Sequence, residues 1–230
     1  LAICYTMIIP FLPIYLLELG VPKADVALWS GLVFGITFLI AGIMAPIWGK
    51  IADNKGKKRM ALRAGFAIAV SYVLIGMVTD QYQLLMGRAL VGFANGFYPA
   101  AMTMVSLSVD EKQVGRALGI FQTGLILGNV IGPFLGGAVE SVVGMRPVFY
   151  ISGIAVFIAT LAVLFLVKEP KLEVENTTSK EQSKQPVKAT SLREDFKSVQ
   201  EQHVLIRLLW IYFFMQCVIM MLQPILALYV

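Results

Sequence analysis

Charges and turn residues divide the chain into seven apolar runs, at 1–19, 29–48, 60–78, 82–109, 114–139, 145–167 and 204–230. Each is close to the ~20 residues that a helix needs to cross a ~30 Å hydrocarbon layer. None alternates apolar and polar residues with the period of two that a membrane β-strand requires. Inside lipid every backbone N–H and C=O must find an internal partner, so runs of this kind read as helices. The pattern predicts an all-α, polytopic membrane helical bundle.

The polar spacers between the runs carry the orientation. The spacer after the second run holds Lys50, Lys55, Lys57, Lys58 and Arg59, with Arg63 close behind, and the spacer after the fourth holds Lys112 and Arg116. Those after the first, third and fifth offer only Lys23 and Arg146. Basic residues in short loops are retained on the cytoplasmic side, so the amino terminus and the even-numbered spacers are expected inside. From 168 to 203 the composition turns to Lys, Glu, Ser, Thr and Gln, which reads as a solvated cytoplasmic linker that also carries His203. Asn176-Thr177-Thr178 fits the glycosylation pattern, but a cytoplasmic segment never meets that machinery. The expected organisation is a six-helix half at 1–167, the linker at 168–203 and the first helix of a second half at 204–230. Leu12-Pro13-Ile14 in the first run and Gln223-Pro224-Ile225 in the last read as equivalent positions of two parallel repeats, with a chance match of so short a segment as the alternative. That implies about twelve spans in an intact protein, and both ends of this chain, Leu1 and Val230, read as cut. The first run has no basic leader or small-residue cleavage site, so it reads as a span rather than a signal peptide.

Composition changes the picture mainly by exclusion. Hydrophobic residues make up 58% and charged residues 14%, beyond the usual apolar share and below the usual charged share of a soluble domain. Cys4 and Cys217 are the only cysteines and both sit in apolar runs, which excludes a disulfide framework and a cysteine zinc site. The formal charge of +5 comes from spacers rather than from basic residues interleaved with aromatics on a soluble surface, so nucleic acid is not expected as a partner. The spans hold no His-Glu metal cluster and no activated nucleophile, so neither a metal site nor an intramembrane enzyme is expected.

Candidate chemistry gathers at four places. The second spacer reads Gly49-Lys50-Ile51-Ala52-Asp53-Asn54-Lys55-Gly56-Lys57-Lys58-Arg59. Here Gly49 is expected to let helix ends approach closely, Gly56 to permit a tight turn, Asp53 to sit at a neighbouring helix N-terminus, and the basic run to meet anionic lipid. Counting from Asp80, Arg88 lies ~12 Å into the fourth helix at 1.5 Å per residue. An ionisable group there is a functional candidate, unless it snorkels to the outer surface. The fifth run carries Gly124, Gly128, Gly132, Pro133, Gly136 and Gly137, a groove for a closely packed helix, in which Pro133 frees the carbonyl of Asn129. Asn95, Gln122 and Asn129 with Phe11, Tyr15, Phe93, Phe97 and Tyr98 are candidates to line a cavity for a hydrophobic solute; lipid contact is the other reading for the aromatics. Glu18 is either a loop charge or a proton acceptor near Arg88.

The second spacer resembles the G-x-x-x-D-x-x-G-[RK]-[RK] signature of the major facilitator superfamily. Leu84 to Gly92 resembles the family's fourth-span l-x-x-x-R-x-x-q-G, with Val91 where Gln is usual. The fifth run resembles the G-x-x-x-G-P-x-x-G-G motif of its exporters and antiporters, and Pro10-Phe11-Leu12-Pro13 looks like the first span of twelve-span drug exporters. The resemblance covers the first six spans. It implies a major facilitator fold with two six-helix halves and a cytoplasmic latch in which Asp53 pairs with Arg59 and Asp110. Arg88 is implied in proton coupling, and the function implied is alternating-access efflux of small amphipathic or hydrophobic compounds from a bacterial cytoplasmic membrane. No cofactor beyond a proton gradient and no partner beyond substrate and lipid is implied, and the protein is expected to be a monomer. Sugar-type uptake, or a non-transporting sensor on the same scaffold, are the alternatives.

Overall fold

The computed structural model describes residues 2–167 and, beyond them, residues 207, 210–216 and 218. The linker at 168–203 with Asn176 and His203, Cys217, and the Pro224 repeat at the end of the seventh span lie outside the described residues. Among the described residues the regular elements are all helical.

Prolines and glycines shape the helices more than the apolar runs alone foretell. The first span is two helices, α1 (Ala2–Ile8) and α2 (Leu12–Glu18), joined by a 3₁₀ turn at Ile9–Phe11. Pro10 and Pro13 have no N–H to donate, so the regular ladder cannot run through them, and the tighter bond from Leu12 N–H to Ile9 O takes over. α3 (Val26–Lys55) outruns the predicted 29–48 and contains Pro46. Gly56, at φ +94, turns the chain directly into α4 (Lys57–Gly76), a conformation that side-chain-bearing residues rarely adopt. Asp80 starts α5 (Gln81–Ala94): its carboxylate accepts from the N–H groups of Tyr82 and Gln83 at 2.8 and 2.9 Å, satisfying two donors that a helix start leaves free.

The fourth run, expected as one helix over 82–109, is broken. α5 ends at Ala94 and α6 (Phe97–Leu107) begins after Asn95-Gly96. α7 (Val114–Val143) follows a 3₁₀ turn at Glu111–Gln113, and the single residue Gly144 joins it to α8 (Met145–Leu166). Taking α5 with α6, and the 3₁₀ turn with α7, five segments are long and apolar enough to cross a membrane, with the shorter Ala2–Glu18 beside them.

The main core is gathered from α1, α2, α3, α4, α5 and α8 around the fully buried Tyr15, Tyr72, Phe149, Ile75 and Leu84. The most extensive helix pairs are α4 with α8, α3 with α5, and α1 with α7. A smaller cluster of Ala52, Met60, Ala61, Ala100 and Met104 lies toward the end that carries the basic turn. Outside, Phe134, Val142 and Phe165 are three-quarters or more exposed. Large apolar side chains turned outward on every span suit a hydrocarbon solvent and not water. Residues 210–216 are helical, with Trp210 in contact with the rings of Phe213 and Phe214.

Candidate functional site

Arg88 sits two turns into α5 and is 2% exposed, so it does not snorkel to the surface. The approach of α4 is allowed by Gly87, where an added methyl would stand 2.5 Å from Ile75 Cγ1. On the other side, Thr37 Oγ1 of α3 donates to Val33 O at 3.0 Å and to Arg88 O at 3.2 Å, tying α3 to α5. The guanidinium itself is under-supplied: Nε and Nη2 are buried and have no hydrogen-bond partner among the described residues. Its electrostatic neighbours are Tyr72 of α4 and Tyr5 of α1. Glu18 is exposed at the end of α2 and is not among those neighbours. Val91 is a buried apolar residue.

The fifth-span glycines form a packing face against α1. A methyl at Gly128 would meet Ala2 Cβ at 2.8 Å, one at Gly132 would overlap Thr6 Oγ1 and Ile3 O, and one at Gly136 would overlap the carbonyl of Met7. Thr6 Oγ1 reinforces the contact by donating to Gly128 O at 3.1 Å. Gly124 faces open space, and a methyl at Gly137 would lie 3.3 Å from the ring of Phe11. Pro133 is half-buried and Asn129 is exposed.

At the basic turn, Asp53 forms an ion pair with Lys57, the first residue of α4. The structure thus gives Asp53 a different basic partner from the Arg59 that the resemblance implies; Arg59 is exposed. Asp53 does not cap α4, whose N-cap is Gly56 without a side-chain bond. Asp110 is exposed, and its backbone carbonyl accepts from Gln113 N–H at 2.8 Å. Gly49 has open space around it, so no close helix approach explains it among the described residues. Lys58 reaches across to the end of α8 and donates to Leu164 O at 2.8 Å, a cation placed where the helix dipole is negative.

Between α3 and α6 lies a cavity of about 650 Å³, whose lining includes Trp48, Asp53, Lys57, Asn95, Tyr98 and Thr103. Of the residues expected to line a cavity, Asn95 and Tyr98 do so here. Gln122 Nε2 donates to Tyr98 Oη at 2.7 Å, and Tyr98 stacks on Phe121 at 5.7 Å. Phe97 packs instead against the smaller core cluster, and Phe11 against the main one. Tyr15 is a core residue and not a lining one: it is wholly buried, donates to Ile75 O at 3.1 Å and packs on Phe149. Sequence reasoning missed the break in the fourth span and the two side chains that donate to its carbonyls, Trp48 to Phe93 O and Arg63 to Ala94 O and Asn95 O. The signals were there, in the Asn95-Gly96 dipeptide and in Pro99 three residues on.

The whole chain, residues 1–230, matches the model of the Major Facilitator Superfamily. The chain belongs to that superfamily. Similar curated relatives are the multidrug resistance protein MdtG of Proteus mirabilis, 38% identical, and that of Klebsiella pneumoniae, 36% identical, each over 98% of this chain. The MdtG of Yersinia enterocolitica is 42% identical over 72% of it. The chain spans about half the length of these relatives, 54% and 53% for the first two. Membership of the superfamily and the apolar helices together make this a multi-pass membrane protein.

Proposed function

We propose that the whole protein is a secondary active exporter of small amphipathic or hydrophobic compounds, driven by proton entry, with the basic turn on the cytoplasmic side. The observation that carries the reading is Arg88: a guanidinium buried among α1, α3, α4 and α5, with two nitrogens that have no hydrogen-bond partner among the described residues. An unpaired charge in a membrane interior costs several kcal/mol, and such residues are retained for function. A fixed positive charge favours the deprotonated form of any acid brought near it and releases that preference when the acid moves away. Coupled to a change between two arrangements of the halves, that is a means of linking proton movement to solute movement. The names of the relatives support efflux of drugs as the direction and cargo, and the fifth-span Gly-Pro motif supports the same branch. The energy source under this reading is the proton gradient, with no cofactor, and the working unit is the monomer in lipid.

Cells carrying the full-length gene, challenged with a panel of toxic amphipathic compounds, are expected to gain resistance that an uncoupler of the proton gradient removes. Resistance unaffected by the uncoupler would defeat proton coupling; no gain for any compound would defeat efflux. A cysteine introduced at Asn54 is expected to react with an impermeant thiol reagent only after the membrane is opened, and labelling in intact cells would reverse the orientation.

A further inference from the structure

The break in the fourth span is held by two side chains from neighbouring spans. Had the helix continued, the carbonyls of Phe93, Ala94 and Asn95 would have bonded the N–H groups four residues ahead. Pro99 has none, and Gly96 at φ +131 turns the chain out of the helix. All three carbonyls find other donors. Trp48 Nε1 of α3 donates to Phe93 O at 2.9 Å, and Arg63 Nη2 of α4 donates to Ala94 O and Asn95 O, each at 3.3 Å. The Arg63 guanidinium lies over the Trp48 ring, 3.5 Å from its centroid, and Trp48 meets Phe93 edge-on at 5.2 Å. Asn95 Oδ1 accepts from Gly96 N–H at 2.7 Å and closes the turn. A cation at the negative end of α5, stacked on an indole, is a favourable arrangement on both counts.

The position of this cluster gives it leverage. α3 packs along α5 but diverges from α6, and the cavity of about 650 Å³ fills the gap, with Trp48, Asn95 and Gly96 at its wall. α6 is 11 residues long, ~16 Å at 1.5 Å per residue, so a swing of about 10° at the break moves its far end by ~3 Å. We propose that Arg63 and Trp48 are positioning residues of the transport cycle, clamping the α5–α6 break and so setting the width of the cleft between α3 and α6. The inference rests on the transport reading above for its functional half and on geometry alone for the clamp.

The test uses the full-length protein in nanodiscs, with Arg63→Ala, Arg63→Lys and Trp48→Phe, the last keeping a ring under Arg63 while removing the donor to Phe93 O. Hydrogen exchange is read over 97–107 against 145–166, together with uncoupler-sensitive dye export per folded molecule. Loss of charge-assisted bonds to two carbonyls is expected to speed exchange in 97–107 by about tenfold, with little change in 145–166, and to slow export several-fold. Arg63→Lys and Trp48→Phe are expected to fall between parent and Arg63→Ala in both readouts. Unchanged exchange, or an equal rise in both segments, would overturn the clamp. Raised exchange with parental export, or lost export with unchanged exchange, would overturn the positioning role. A parent that exports no dye removes the efflux reading alone, because the exchange comparison still judges the clamp.

Discussion

Gly136→Ala puts the contact between α1 and α7 to its sharpest test. The added methyl would lie 3.0 Å from both the carbonyl carbon and the Cα of Met7 and closer still to the carbonyl oxygen. These are backbone atoms that cannot rotate away. Restoring an ordinary 3.5–4.0 Å contact requires the helices to part by roughly 1 Å. That stretches the bond from Thr6 Oγ1 to Gly128 O, now 3.1 Å, beyond useful length. Overpacking of this kind costs typically about 1–3 kcal/mol and the lost hydrogen bond about 1 kcal/mol more. Against this, alanine is favoured over glycine in a helix by about 0.5–1 kcal/mol, leaving a net loss of ~2 kcal/mol. Gly124→Ala supplies the control, because its methyl would enter open space and only the favourable propensity, about 0.5–1 kcal/mol, remains. Thermal unfolding in detergent, followed by tryptophan fluorescence, is expected to show a midpoint ~4–8 °C lower for Gly136→Ala and unchanged or slightly higher for Gly124→Ala. Equal midpoints for parent and Gly136→Ala, or equal losses in both variants, would refute the assignment of this stripe as a packing face.

Thr6→Val keeps the side-chain volume while removing the donor to Gly128 O, so a loss of about 1 kcal/mol and a midpoint a few degrees lower are expected; an unchanged midpoint would leave the glycines as the whole of that contact. Asp53→Asn breaks an exposed pair with Lys57, worth about 0.2–1 kcal/mol, so stability should hardly move while the export rate falls several-fold; a large drop in the midpoint with export per folded molecule unchanged would make Asp53 a structural residue. Arg88→Met replaces a buried, under-bonded cation with a shorter apolar chain of similar volume. Each unsatisfied buried donor carries a penalty of about 1–3 kcal/mol, so the variant is expected to unfold at a higher temperature than the parent and yet to lose uncoupler-sensitive export. A less stable Arg88→Met protein would show that the guanidinium has partners in the intact protein.

How much could be read from the residues varied with the physics behind each feature. Span existence was legible because length and hydropathy are imposed by the bilayer and need no tertiary information. Exact ends were not: α3 continues to Lys55 and α7 to Val143, past the apolar limits, since a helix ladder runs on into the interface until a turn residue such as Gly56 or Gly144 stops it. The broken spans were marked by Pro10, Pro13, Asn95-Gly96 and Pro99, but apolar content outweighed those marks in the segmentation. Arg88 stood out as a rare charge within a span. By pattern alone Arg63 belongs with the basic loop, because its depth in α4 and its reach to Ala94 O and Asn95 O depend on how α4 packs against the α5–α6 break, which no local pattern encodes. Tyr15 illustrates the converse. Aromatic character fits a cavity wall or a core equally well, and only the contact with Phe149 and the bond to Ile75 O separate the two.

The burial of Arg88 limits what it can do. At 2% exposure it is covered by the described helices, so in this arrangement no solute-sized molecule reaches it. Under the proposed export reading its influence travels as an electric field or through the bonds that hold α5, of which the link from Thr37 to its carbonyl is one. Of the polar candidates, Asn95 lines the cavity beside the charged pair Asp53 and Lys57, while Gln122 and Asn129 are exposed elsewhere on the helices. Under the proposed export reading, contact with cargo at the cavity and proton coupling at Arg88 fall on different residues of the described helices. The fourth span runs between the two places, with Arg88 in α5, the cavity wall in α6 and the Arg63–Trp48 cluster at the break between them.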